Sequence, residues 1–233
     1  MAPTRRILAI GGHAWSPAGG LAALDRHLLE LTGRDRPKVM FLPTPSADAD
    51  SSIVSFYETY VTNAVTTHLK LFGAPDRSEW RPRLLEQDAI LVSGGNTASA
   101  LAVWRAHGVD VALREAWEKG AVLCGSSAGM ICWFECSVTD SFGARLSGMR
   151  DGLGFLAGSA CPHYDGEERR RPVYHELVAS GFPGGYAAED EVGLHFEGTA
   201  LKEVVAQAVG RQAYLVELVD GAVRETALPA RPL

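Results

Sequence analysis

The chain has 233 residues, 46% of them hydrophobic and 21% charged, with a formal net charge of −6. This is the composition of a globular protein with a substantial core, and its acidic balance counts against a nucleic-acid or anionic-membrane surface. Its apolar runs fall far short of the ~20 residues that span a bilayer, and Ile7–Ile10 before Gly11-Gly12 is too brief for the core of a signal peptide.

In chain order, Arg6–Ile10 is strand-like and ends in Gly11-Gly12-His13, and Leu21–Leu31 carries apolar residues at helical spacing. A second strand, Lys38–Leu42, runs into Pro43-Thr44-Pro45-Ser46, and a helix is expected from Ser51 to Val65. His68–Phe72, Ala89–Val92 and Ala121–Cys124 are the next expected strands, with helices Ala98–Ala106 and Val109–Lys119 between the last two. Strands this uniformly apolar, alternating with helices, predict an α/β fold with a mostly parallel central sheet flanked by helices. Beyond Gly143 the pattern becomes β-rich: Ser159–Cys161, a helix within Glu167–Ser180, then short strands at Gly185–Ala188, Val192–Phe196, Glu203–Ala206 and Ala213–Val216. With no internal repeat or linker, residues 1–233 are expected to form a single domain.

In open parallel sheets the ligand site lies at the carboxyl ends of the strands, where the glycine-bearing turns of this chain fall. Gly125-Ser126-Ser127-Ala128-Gly129 follows a buried strand and is expected to open an amphipathic helix. That context makes it a candidate nucleophile elbow, with Ser127 lifted above the sheet and the first helical amides facing a developing oxyanion. Ser93-Gly94-Gly95-Asn96-Thr97 is a second strand-to-helix turn. It suits an oxyanion site or a plain helix cap, and it matches neither a P-loop nor a dinucleotide fingerprint.

A serine needs a base. His13, His163 and His195 are the candidates, whereas His27, His107 and His175 fall in solvent-facing patterns. The orienting carboxylate is open among Asp140, Asp165 and the run Glu189-Asp190-Glu191, of which only alternate members can share a face of a strand. Cys132 and Cys136 stand one helical turn apart. Without zinc-type spacing these two, with Cys124 and Cys161, are expected to be buried free thiols in a reducing cytoplasm, with no metal.

Taken together, Ser93-Gly94-Gly95-Asn96-Thr97, Gly125–Met130 and Pro162-His163-Tyr164-Asp165, in this order, resemble the peptidase E family of serine peptidases, which includes aspartyl dipeptidase and, more distantly, cyanophycinase. The resemblance covers most of the chain and implies a class I glutamine-amidotransferase-like fold with a β-rich C-terminal part. It implies Ser127 as nucleophile, His163 as general base and Asp190 as acid, with Glu189 the alternate acid. It also implies an oxyanion and substrate site at Gly95, Asn96 and Ala128. The implied reaction is exopeptidase cleavage of short peptides, as a dipeptidase or aminopeptidase, with no cofactor, no nucleic-acid or membrane partner, and room for a homodimer. Arg169-Arg170-Arg171 lies roughly where Asp-specific members hold a basic substrate-binding residue, so Asp-X specificity is one expectation. The competing readings are an esterase of α/β-hydrolase type, using Asp140 with His163 or His195, and a non-catalytic amidotransferase-like binding domain.

Overall fold

The computed structural model describes residues 3–13, 20–73 and 75–233. Its first half alternates strands and helices: β1 (Arg6–Ile10), α1 (Ala23–Leu31), β2 (Lys38–Leu42), α2 (Asp50–Tyr60), β3 (Val65–His68), α3 (Arg77–Leu85), β4 (Ala89–Val92), α4 (Thr97–His107), α5 (Val109–Glu118), β5 (Val122–Ser126) and α6 (Ala128–Ile131). The second half is mostly strand: β6 (Phe134–Thr139), β7 (Ser147–Met149), β8 (Leu156–Cys161), α7 (Arg170–Ala179), β9 (Gly185–Ala188), β10 (Val192–Glu197), β11 (Ala200–Ala206), β12 (Gln212–Val219), β13 (Ala222–Pro229) and β14 (Arg231–Pro232).

Eight strands form the larger sheet, in the order β14-β11-β10-β1-β5-β4-β2-β3. From β1 to β3 every pairing is parallel, and β10 joins β1 antiparallel. The second sheet has the order β13-β12-β9-β8-β6-β7. Side chains on the parallel strands alternate between two layers, as the two-residue period of a strand requires. Ile7, Ala9, Met40, Ile90 and Leu123 pack against Trp80, Trp104, Leu113 and Trp117 from α3, α4 and α5. Leu8, Ile10, Val39, Phe41, Leu91 and Cys124 face Leu24, Leu28, Phe56 and Tyr60 from α1 and α2. A strand covered on both faces must be apolar throughout, which is why these segments stand out in the sequence. Each large side chain buried here stabilises the fold by about 1.5–3 kcal/mol. The first of these layers also takes in Phe134, Leu156, Ala188 and Ala213, so it continues beneath the second sheet.

Several expected elements move. The third strand is Val65–His68 rather than His68–Phe72, and the Leu71 amide turns instead to the Asp48 carboxylate. The helix after the elbow ends at Ile131, and Phe134–Thr139 is a strand. Cys132 and Cys136 therefore share no helical face, although all four cysteines are free and buried. The helix Arg77–Leu85, with Pro82 inside it, and the strands Phe134–Thr139, Ser147–Met149, Ala222–Pro229 and Arg231–Pro232 have no counterpart in the sequence reading. Among the described residues no helix is long and apolar enough to cross a membrane.

Candidate active site

At the end of β5 the chain reverses sharply at Ser127, whose φ of 56° and ψ of −112° are rare for a residue with a side chain. Three bonds hold this backbone. Ser127 N–H donates to the Ile10 carbonyl at 3.1 Å, and the Ser127 carbonyl accepts from Met130 and Ile131 at 2.9 and 3.1 Å. The turn closes because the flanking residues are glycines. A Cβ on Gly125 would come within 2.7 Å of Gly129 Cα, and one on Gly129 within 2.5 Å of the Val92 carbonyl oxygen.

His163 follows β8 and also has a left-handed backbone, with φ 52°. Its Nε2 lies 2.8 Å from Ser127 Oγ and its Nδ1 lies 2.7 Å from Asp190 Oδ1. An ionised carboxylate only accepts, so Asp190 selects the tautomer with the proton on Nδ1 and leaves the Nε2 lone pair facing the serine hydroxyl. Asp190 is held in turn by Asp165, whose Oδ1 accepts the Asp190 N–H at 2.9 Å while its other oxygen pairs with Arg211. The carboxylate occupies space that two glycines leave open. A Cβ on Gly12 would stand 1.9 Å from Asp190 Oδ1, and one on Gly166 would stand 2.2 Å from Oδ2.

The neighbouring acid faces away. Glu189 accepts from Tyr214 Oη at 2.9 Å and from the Gln212 amide at 3.1 Å. Asp140 is exposed in the turn after β6. The carboxylate on His163 therefore follows the histidine in the chain, an order that the esterase alternative does not have. His13 lines the cavity beside Ser127 and bonds Asp25 through Nε2 at 3.1 Å. His195 lies elsewhere, buried beside Glu203, and His27, expected on the surface, is buried next to it.

A cavity of about 350 Å³ opens beside Ser127 at the carboxyl ends of the parallel strands. Its wall is mixed: Ile10, Leu24, Leu28, Phe41 and Leu91 are apolar, and His13, Asp25, Tyr60, Ser52, Ser93 and Ser126 are polar. Asp25 accepts from Tyr60 Oη at 2.6 Å and from the Ala22 amide at 3.0 Å. Cys124 is also on this wall. Burial and the nearby Asp25 push its thiol well above the usual range, so it is no rival nucleophile.

Of the glycine turn, Gly94 lines the cavity, and a Cβ on Gly95 would stand 2.1 Å from the Pro45 carbonyl oxygen, so only glycine fits there. The Asn96 amide donates to the Pro45 carbonyl at 2.8 Å. Its side chain caps α4 through the Ser99 amide at 2.8 Å and donates to the Ser141 carbonyl at 2.9 Å. Asn96 is thus the N-cap of α4, the second of the two roles that its turn suits. Ala128 opens α6 directly after the serine.

The arginine run also has structural partners. Arg170 is buried and bonds Glu167 and the Val138 carbonyl, and Arg171 stacks over Tyr164 and Tyr214 while pairing with Glu225. No arginine or lysine lines the cavity among the described residues. The sequence reading missed Gly12, Gly166, Asp165 and Arg211 as supports of the carboxylate. The sequence points to the Gly11-Gly12-His13 turn, and to Asp165 as a candidate acid rather than as a support of one.

A serine at a strained elbow, in one hydrogen-bonded line with a histidine and a carboxylate, is the arrangement of a serine hydrolase on an α/β scaffold. Residues 7–204 match the model of peptidase family S51. The chain is 43% identical over 231 residues to YgaJ of Bacillus subtilis (strain 168), described as an uncharacterized peptidase, over 98% of this chain and 99% of that one. Its fold resembles that of a peptidase from an acI-B1 actinobacterium, with a TM-score of 0.67, 16% identity and coverage of 97% and 95% of the two chains. A candidate peptidase E protein from Listeria monocytogenes EGD-e is similar as well, with a TM-score of 0.62, 16% identity and coverage of 89% and 100%. The chain belongs to peptidase family S51 and is a serine-type peptidase.

Proposed function

We propose that this peptidase removes residues from the amino terminus of short peptides, with Ser127 as nucleophile, His163 as general base and Asp190 as orienting acid. The observation that carries the reading is the line Asp190–His163–Ser127, at 2.7 and 2.8 Å. Ser127 Oγ attacks the scissile carbonyl as His163 Nε2 takes its proton, and Asp190 stabilises the imidazolium. The oxyanion meets the first amide of α6, at Ala128, and the backbone of the Gly94-Gly95 turn. His163 then protonates the departing amine, leaving an acyl group on Ser127. A water that gives its proton to His163 attacks the acyl carbonyl and regenerates the serine.

The cavity supports a substrate class. The apolar part of its wall, Ile10, Leu24, Leu28, Phe41 and Leu91, suits an uncharged side chain on the residue before the scissile bond. Asp25 adds an anionic group, which repels an aspartate side chain and attracts the ammonium of a free amino terminus. The test is hydrolysis of Leu-X, Met-X, Ala-X and Asp-X dipeptides, free and N-acetylated, by wild type and Ser127→Ala. The expected outcome is cleavage of the free apolar series, weak cleavage of Asp-X, and loss of all activity in the variant. Preference for Asp-X, or equal cleavage of acetylated peptides, would sink the substrate assignment while leaving the nucleophile intact. Equal activity in both proteins would sink the nucleophile.

A further inference from the structure

Away from the Ser127 cavity, three side chains from separate elements converge: His27 of α1, His195 of β10 and Glu203 of β11. Each offers one ligating atom, and these atoms lie within 4.8 Å of one another. Both imidazoles are buried, with side chains 8% and 4% exposed, while Glu203 is 31% exposed and opens the cluster to solvent. Arg231 takes one oxygen of the carboxylate, donating to Glu203 Oε2 from Nε at 3.0 Å and from Nη2 at 2.9 Å. The other oxygen, Oε1, faces the histidines, 3.5 Å from His195 Nδ1 and 4.0 Å from His27 Nε2.

These separations are long for hydrogen bonds. His27 Nε2, the atom turned toward Glu203, is buried with no hydrogen-bond partner, while His195 Nδ1 reaches Glu203 Oε1 only at 3.5 Å. An unsatisfied buried polar atom is destabilising, so His27 Nε2 calls for a ligand or a compensating role. A metal ion supplies one. Two ligands about 2.1 Å from a tetrahedral ion stand ~3.4 Å apart, close to the spacing here.

We propose that His27 Nε2, His195 Nδ1 and Glu203 Oε1 form a binding site for a divalent first-row transition ion of the zinc type, with water completing its shell. Two imidazoles and one carboxylate favour such an ion over calcium or magnesium, which take oxygen ligands. Arg231 serves as the outer partner that orients the carboxylate. The ion fastens α1 to strands β10 and β11. Leu24, Asp25 and Leu28 of the same helix line the Ser127 cavity, so the ion steadies that wall without touching the reacting atoms.

The experiment titrates chelator-treated, desalted full-length protein with Zn2+ by calorimetry and with Co2+ by absorbance. Wild type, His27→Gln, Glu203→Gln and His163→Ala are compared. Glu203→Gln retains the side-chain shape at a partly exposed position, and its circular dichroism in chelator shows that the fold is intact. Wild type and His163→Ala are expected to bind one equivalent and to gain thermal stability with zinc concentration. The Co2+ spectrum should lack a thiolate charge-transfer band, which excludes the four cysteines. Affinity should fall at least ~tenfold in His27→Gln and Glu203→Gln. Absence of stoichiometric binding in wild type overturns the proposal. So does unchanged binding in folded Glu203→Gln, or loss of binding in His163→Ala alone.

Discussion

Ser127 is placed mainly by its neighbours in the chain, seated on the ends of two adjoining strands, whereas the histidine and carboxylate in line with it are placed by several separate segments. The elbow is Gly125–Gly129 folded against the ends of β1 and β4, and its geometry follows from close glycine packing. The pair His163–Asp190 depends on Gly12 after β1, Gly166 beyond the histidine, and Asp165 with Arg211 behind the carboxylate. The elbow needs only the ends of two neighbouring strands besides its own residues, so few distant changes reach it. A device assembled from four segments is exposed to change at each of them. The two halves of the site should therefore fail in different ways.

The largest expected effect is at the shared atom. Ser127→Ala should lower kcat by about 10⁶, toward the uncatalysed rate, with melting temperature unchanged. Retention of even a thousandth of the wild-type rate would be incompatible with a serine nucleophile here. Next is the contrast of adjacent acids. Asp190→Asn should lower kcat by about 10⁴, because an amide facing Nδ1 favours the wrong tautomer. Glu189→Gln should keep near-normal turnover and melt earlier, since it weakens the bonds to Tyr214 and Gln212 by roughly 1 kcal/mol each. The opposite ranking would move the acid to Glu189.

The glycines separate the two devices more finely. Gly12→Ala drives a methyl into the Asp190 carboxylate and should lower kcat by about 10², the usual loss from a misplacement of about 1 Å. Gly129→Ala meets backbone at Val92 and should chiefly lower the melting temperature. Parallel kinetics and thermal melts of the two variants read the difference directly. If both lose stability equally, the division between local and long-range placement fails.

The smallest effect lies behind the histidine. Burial pushes the Glu225 carboxyl up, but bonds from Tyr164 and His175 and the Arg171 charge outweigh it and hold the group below the usual range. A depressed carboxyl stabilises the fold above its unfolded value, near 4.5, and that contribution disappears as pH falls through the folded value. Glu225→Gln should melt earlier than wild type at pH 7 and show a shallower decline below about pH 4.5. Identical acid limbs would mean that Glu225 does not couple folding to pH.

Much of the parallel sheet was legible, because strands covered on both faces must be apolar. Arg6–Ile10, Lys38–Leu42 and Ala89–Val92 therefore appear where the sequence predicts them. The elbow was legible for a related reason: small residues around a serine, directly after such a strand, suit few other turns. The region after Ile131 was misread. The four-residue spacing of Cys132 and Cys136 imitates a helix, and pairing with β7 and β8 makes Phe134–Thr139 a strand. Arg77–Leu85 was missed because Pro82 and its charged surface hide a helix held by Trp80 and Leu84. His27 looked solvent-facing because nothing local announces β10 and β11 packing against it.

By itself the sequence determined the class of fold, the position of the serine and a short set of candidate bases and acids, all of which follow from near neighbours and strand periodicity. Tertiary structure decided which acid meets His163, that Asn96 caps a helix, that Arg170 and Arg171 are bound elsewhere, and that His27, His195 and Glu203 lie together. The physical reason is chain separation. Gly12, His163, Asp190 and Arg211 become neighbours only when two sheets are assembled, and no local pattern encodes a contact that the whole fold must first create.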